Sequence, residues 1–403
     1  MEEGPTGTLR SLRERNSARV VDLLRRHGTA SRADIARWTG LSRSTVSSLV
    51  ADLEASGLVV ERDGEARPSS AGGRPPVLLA LEPAAGIAIG VDFGHTHLRV
   101  AVADLSSRIM AERGLELDVD RDAGEALDTT AQVIGELLDE AGVEHDRVIG
   151  IGMGLPGPVD RHTGVVGDSI ILPGWAGLRP AMELGHRVGM DVEVDNDANL
   201  GALAEVAFGA GRGAADVVYL KVASGIGAGL VLGGKLLRGA SGLAGELGHV
   251  LYDPDGRVCR CGNRGCLETV AAGPALVELL RTSHGDALTV RGLIALAGEG
   301  DAGARRVLSD AGRAIGRALA VLVNTLNPER IVVGGELGTA GESLLDGVRE
   351  SLGRYALPRA VDDVGVVAGV LADRAELLGA LSLVITDSRR PLTTNTTTTT
   401  TTT

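Results

Sequence analysis

The apolar positions of this chain follow a helical period at first and change to strand-like runs near residue 84. "NSARVVDLLRRHG" groups Val20, Val21, Leu23 and Leu24 and stops at Gly28, which predicts a helix with a glycine end. In "SRADIARWTG", Ser31 can cap a second helix, Ile35 faces inward and Gly40 ends it. In "LSRSTVSSLVADLEASG", Ser42 can cap a third. There Val46, Leu49, Val50 and Leu53 fall at i, i+3, i+4 and i+7, a single buried stripe. The opposite face shows Arg43, Ser44, Thr45, Ser47 and Ser48. "GLVVERDGEARPSSAGGRPPVLLALEP" then predicts strands at 58–60 and 77–81 around a Gly/Pro/Ser/Arg loop.

Two short helices joined by a glycine turn, the second with small hydroxyl side chains and an arginine at its start, form the helix-turn-helix pattern. Short hydroxyl residues let such a helix lie deep in the major groove, and an arginine can read a guanine edge. The hairpin is a wing, with Arg67 and Arg74 placed to reach phosphates or the minor groove. A three-helix domain that binds protein is the alternative, and the arginines of the wing favour DNA.

Beyond residue 84 the pattern is α/β. "GIAIGVDFGHTHLRVAVADL" reads as strand, turn and strand, and "ALDTTAQVIGELLDEAG" as a helix. "VEVDNDANLGALAEVAFGAG" is a strand leading into a helix at 198–208, and "DVVYLKVASGIGAGLVLGGKLLRG" repeats the strand–turn–strand unit. A long helix, a strand and a Gly-Gly turn follow in "AIGRALAVLVNTLNPERIVVGGELG". Two such units predict two similar α/β lobes with a cleft between them. Glycine turns after strands can hold phosphate through backbone N–H groups, although each alone is a weak signal.

Composition sharpens this division. The 403 residues suffice for two or three domains, and apolar residues make up 44% against 2% aromatic, so the cores are aliphatic. The net charge of −13 argues against a nucleic-acid binder as a whole. Residues 1–80, however, hold 12 arginines and 10 acidic residues, so a slightly basic front end precedes an acidic body. No apolar run approaches the roughly 18 residues of a membrane span, and the charged N-terminus lacks an apolar signal core, which predicts a cytoplasmic protein. The tail, residues 389–403, is threonine-rich with nothing to bury and is expected to be disordered.

All three cysteines fall in "GELGHVLYDPDGRVCRCGNRGCLE". His249, Cys259, Cys261 and Cys266 offer one imidazole and three thiols, a donor set for tetrahedral Zn2+. With four protein ligands no position stays open, so such a zinc is structural, contributing on the order of 10 kcal/mol to loop order. Three free thiols near a histidine by chance is the bland alternative.

These motifs resemble the ROK family of repressors and sugar kinases, over roughly residues 15–388. The resemblance rests on "GELGH" followed by "CRCGNRGCLE", on "DNDAN" and on the two glycine turns. It implies a winged helix-turn-helix at 15–82 and, at 84–388, a two-lobed body with the actin/hexokinase (ribonuclease H-like) fold. Lobe 1 would span about 84–195 plus the C-terminal helix, and lobe 2 about 196–370. It further implies that Glu246, His249 and Glu268 line a sugar site with Asn196 and Asp197, and that Asp197 would be the general base in a kinase. Carboxylates suit that task because each accepts two hydroxyl hydrogen bonds. An Asx turn at Asp195 and Asn199 is the structural alternative for that segment.

Kinases of this family carry Asp-x-Gly-Gly-Thr in the first phosphate loop. This chain keeps Asp92, Gly94 and Thr96 but places His95 at the second glycine and His97 after the threonine. The second loop keeps Gly225 and Gly227, with Ser224 and Ala228 altered. Ile171 stands where many sugar-binding relatives place asparagine. The expected protein is therefore an ATP-independent sugar sensor, a repressor of carbohydrate genes that binds operator DNA as a homodimer or a dimer of dimers. A sugar kinase that retains a DNA-binding domain, and a sugar-blind regulator answering to a protein partner, are the rivals.

Overall fold

The computed structural model describes residues 13–385 except 14, 15, 18, 22, 25, 26, 63–76, 83, 84 and 168–170. Arg67, Arg74 and the threonine-rich tail lie outside the described residues.

The N-terminal unit holds helices Arg32–Thr39 and Arg43–Ala55 and a three-stranded antiparallel sheet. Its strands are β1 (Thr29–Ser31), β2 (Val59–Arg62) and β3 (Leu78–Leu81), in the order β1-β3-β2. Strand β1 was not expected, because three residues carry no readable alternation. Ser31 starts the first helix with a reciprocal cap to Asp34, and Gly40 ends it at φ 69°. Ser42 accepts a hydrogen bond from the Thr45 N–H and so caps the second. The stripe Val46, Leu49, Val50 and Leu53 is buried.

The body contains two five-stranded sheets of the same topology. In the first, β4 (Ile87–Phe93), β5 (His97–Asp104), β6 (Ile109–Glu116), β7 (Val148–Leu155) and β8 (Val192–Asn196) lie in the order β6-β5-β4-β7-β8. In the second, β9 (Val217–Val222), β10 (Ile226–Leu232), β11 (Lys235–Leu237), β12 (Arg330–Gly334) and β13 (Gly365–Ala368) lie in the order β11-β10-β9-β12-β13. Each sheet has its first strand at the centre, an antiparallel hairpin on one side and two parallel strands on the other. This repetition places residues near the ends of β4 and β9 in corresponding positions.

Helices Asp197–Phe208 and Ala375–Ile385 pack against one another between the sheets, the first on β9 and β10, the second on β4 and β7. The approach of the second helix to β7 is close. A Cβ at Gly152 would collide with the Ala380 carbonyl, so only glycine fits there. Among the described residues the core of the N-terminal unit is continuous with that of the body. Leu58, Val59, Leu79 and Leu81 share one apolar cluster with Ala88 and Ala103 of the first sheet, Leu105 just after β5, and Leu381, Val384 and Ile385 of the last helix. Among the described residues no helix is long and apolar enough to cross a membrane.

Candidate functional site between the two lobes

The ends of the two sheets face a cleft of about 930 Å³. Asp92, Gly94, Thr96, Ser224, Gly225, Gly227, Asn196, Asp197, Glu246, His249 and Glu268 all line it, so one space collects every predicted sugar and phosphate-loop position. Ile171 lines it as well, presenting an apolar face.

The "DNDAN" segment ends β8 and begins the next helix, which starts at Asp197, one residue earlier than expected. The expected Asx alternative is corrected. The cap is Asn196, whose Oδ1 accepts from the N–H groups of Ala198 and Asn199. Asp195 instead pairs with Arg238 at 2.7 Å and accepts from the Asn199 amide at 2.8 Å. Asn196 donates its own amide to the Gly157 carbonyl at 3.3 Å, so most of its hydrogen-bonding capacity is spent within the protein. Asp197 is buried, and its Oδ2 accepts from Lys221 Nζ at 2.8 Å.

The first glycine turn is closed over. The His97 ring lies where a Cβ on Gly94 would stand, and its Nε2 is 3.3 Å from Asp92 Oδ2. His95 turns its Nδ1 to Asp120 at 2.7 Å.

Glu268 begins the helix Glu268–Ala271 and is held from three sides. Its Oε1 accepts from Arg260 Nε at 3.0 Å and faces Cys259 Sγ at 3.5 Å, and its Oε2 accepts from the Ile226 N–H at 3.3 Å. Among the described residues Glu246 has only His249 Nε2 near its carboxylate, at 3.8 Å. Burial pushes its carboxyl up to about 7, with the Asp197 and Glu268 carboxylates adding to the shift.

The ligand atoms of His249, Cys259, Cys261 and Cys266 lie within 4.8 Å of one another. Cys259 Sγ is 3.6 Å from His249 Nδ1, and Cys261 Sγ is 3.6 Å from Cys266 Sγ. Metal bonds of about 2.0–2.3 Å in a tetrahedron require ligand separations of roughly 3.4–3.8 Å; the two pairs at 3.6 Å meet this, and the chemistry of one imidazole and three thiols suits a metal ion. The two nitrogens of His249 point to different neighbours. Nδ1 faces the thiols, and Nε2 lies 3.8 Å from Glu246 Oε2.

Among the cleft residues that escaped the sequence reading are Arg260, Lys221 and Glu376. Arg260, between two candidate ligands, donates to the Ser224 carbonyl at 3.1 Å and to His95 Nε2 at 3.3 Å. Lys221 occupies a strand position that reads as core, and Glu376 lies in an apolar helix. A lone charge inside an apolar run is the signal that marks the last two.

On the N-terminal unit, Ser42, Arg43, Ser44, Ser47 and Ser48 are exposed and Thr45 is half-buried. Part of this face is engaged internally. The Ser42 hydroxyl contacts those of Ser44 and Thr45 at 2.9 and 2.8 Å, and Ser48 accepts from Arg13 at 2.9 Å.

Comparison with known proteins agrees with this architecture. Residues 88–387 match the ROK family and residues 14–67 the MarR family. The chain is 30% identical to the xylose repressor of Caldicellulosiruptor bescii over 391 residues, covering 93% of this chain and 96% of that one. A crystal structure of a ROK family transcriptional regulator, a homologue of the E. coli MLC protein, superposes with TM-score 0.77 at 28% identity, covering 94% and 97% of the two chains. A ROK family glucokinase from Streptomyces griseus, solved with glucose and AMPPNP, gives 0.65 at 31% identity, covering 74% of this chain and 99% of that one. The protein belongs to the ROK family.

Proposed function

We propose that this protein is a sugar-responsive DNA-binding repressor of carbohydrate-metabolism genes. The observation that carries this reading is the single apolar cluster joining the DNA-binding unit to the sheet and helix that frame the cleft. A ligand that changes the relation of the two lobes acts on elements whose far side is the core of that unit. Sugar binding would favour one lobe arrangement by tighter contact and so shift the population of DNA-competent molecules. Likeness to the xylose repressor across nearly the whole chain supports the same function.

In this reading Asp197, Glu246 and Glu268 receive sugar hydroxyls, with His249 and Asn196 at the edge. The candidate metal is a structural Zn2+, held by His249, Cys259, Cys261 and Cys266, and it supplies order to the loop that presents the two glutamates. A homodimer reads paired operator half-sites, with the exposed start of helix Arg43–Ala55 in the major groove.

Fluorescence anisotropy of operator DNA, titrated with a panel of pentoses and hexoses, tests this reading. One sugar should change DNA affinity at least tenfold. No change with any sugar would favour control by a protein partner. The kinase alternative is tested with ATP and the same panel, where turnover abolished by Asp197→Asn would establish it. Lys221 on Asp197 and the His97 ring over Gly94 weigh against turnover.

A further inference from the structure

Lysine occurs at two positions in the chain, Lys221 and Lys235; every other fixed cation is arginine. Lys221 is one residue from the end of β9, the central strand of its sheet. Asp92 is one residue from the end of β4, the central strand of the other. The internal repetition of the fold therefore sets an ammonium and a carboxylate in matching positions on either side of the cleft.

Three carboxylates surround this ammonium. Lys221 Nζ donates to Asp197 Oδ2 at 2.8 Å and lies 3.6 Å from Glu376 Oε1, which also accepts from the Tyr219 hydroxyl at 3.2 Å. Asp92 faces the same space, and its Oδ1 is buried without a hydrogen-bond partner. Hard oxygens from three elements make a donor set suited to a divalent cation. Here a tethered cation stands among them. Burial alone would push the Lys221 ammonium toward neutrality, but Asp197, Glu376 and Asp92 together outweigh it and hold the group above the ordinary lysine range.

We propose that Lys221 is the resident counter-ion of the Asp92, Asp197 and Glu376 cluster. It excludes a divalent cation, and with it a metal–nucleotide, and leaves the cleft to an uncharged polyol. Charge also decides against a phosphorylated sugar. The arginines that line the cleft are each paired with a carboxylate, Arg260 with Glu268, Arg99 with Asp373 and Arg291 with Glu336, so none is left to offset the carboxylates facing Lys221. A phosphate dianion would enter a surplus of negative charge, whereas hydroxyls donate to it. This inference rests on the sugar-responsive reading and narrows its ligand class.

The test uses zinc-loaded full-length protein and Mn2+ as the probe, followed by electron paramagnetic resonance. Wild type should take up no Mn2+ beyond what Asp92→Asn takes up. Lys221→Thr should gain a site at least tenfold tighter, lost again when Asp92→Asn is added. Lys221→Gln, which removes the charge and is only one atom shorter than lysine, serves if the threonine variant does not fold, with the same gain expected. Wild-type Mn2+ binding that depends on Asp92 would overturn the proposal without recourse to a variant at position 221. So would a folded Lys221 variant with no gain. In parallel, free sugars and their phosphates are titrated against the wild-type DNA complex. A phosphate ester that acts at lower concentration than its parent sugar overturns the polyol assignment. Failure of every sugar and ester to affect DNA sinks the sugar-responsive reading instead, and the Mn2+ result stands apart from it.

Discussion

Arg260 Nη1 lies 3.3 Å from His95 Nε2, and the contact crosses from one lobe to the other. A guanidinium only donates, so Nε2 accepts and the ring proton faces Asp120. The arginine sits between Cys259 and Cys261 and also holds Glu268 and the Ser224 carbonyl. One side chain thus links the candidate metal loop, a candidate sugar ligand and the opposite lobe.

Arg260→Ala should therefore weaken the sugar response while the zinc content stays at wild-type level. A double-mutant cycle with His95→Ala, read by calorimetry with the active sugar, should show a coupling of about 0.5–3 kcal/mol. Additive losses would mean that the contact does not bear on ligand binding.

Metal and ligand roles separate by mutation. Cys261→Ser should lose zinc and sugar response together, because loop order goes with the ion. Glu246→Gln should keep zinc, measured by atomic absorption, and lose at least tenfold in sugar affinity. Dialysis against a strong chelator should reproduce the Cys261→Ser result in the wild-type protein.

Arg43 is exposed at the first turn of its helix. Arg43→Ala should weaken operator binding by about 1–3 kcal/mol if the side chain reads a base, and discrimination at one operator position should relax with it. A uniform loss, with the salt slope reduced by about one, would assign it to a phosphate instead. Anisotropy at several salt concentrations distinguishes the two.

The shared core makes its own prediction. Leu381 is fully buried in the cluster that includes the DNA-binding unit. Leu381→Ala should cost about 2–5 kcal/mol and lower both thermal stability and DNA affinity. Gly152→Ala should disturb the same helix from the sheet side, through the Ala380 carbonyl. Wild-type DNA affinity in a destabilised Leu381→Ala protein would show that the two units are energetically separate.

Much of this was legible beforehand. The helix stripe at Val46, Leu49, Val50 and Leu53, the caps at Ser31 and Ser42 and the gathering of the cysteines depend on local spacing, which a sequence displays directly. The strand–turn–strand units did so as well. Lys221, Arg260 and Glu376 were missed because their meaning is non-local. Lys221 resembles an interruption in a strand until Asp197, 24 positions earlier, is brought to it. Arg260 looks like loop surface until its reach to His95, 165 positions away, is seen. The helix cap at Asn196 was missed for a different reason. Asp195, Asn196, Asp197 and Asn199 all suit a helix start, and only the backbone geometry selects the one that caps.

The final helix, Ala375–Ile385, is about 16 Å long at 1.5 Å per residue, with Glu376 in the cleft at one end and Val384 and Ile385, at the other, in the apolar cluster that also holds Leu79 and Leu81. It constrains how such proteins can be recombined. A chimera that grafts residues up to 82 onto another body would leave Leu79 and Leu81 facing a foreign surface, and the mismatch would come from the opposite terminus of the chain. Specificity for an operator and specificity for a ligand can be exchanged here only if the last helix travels with the first domain.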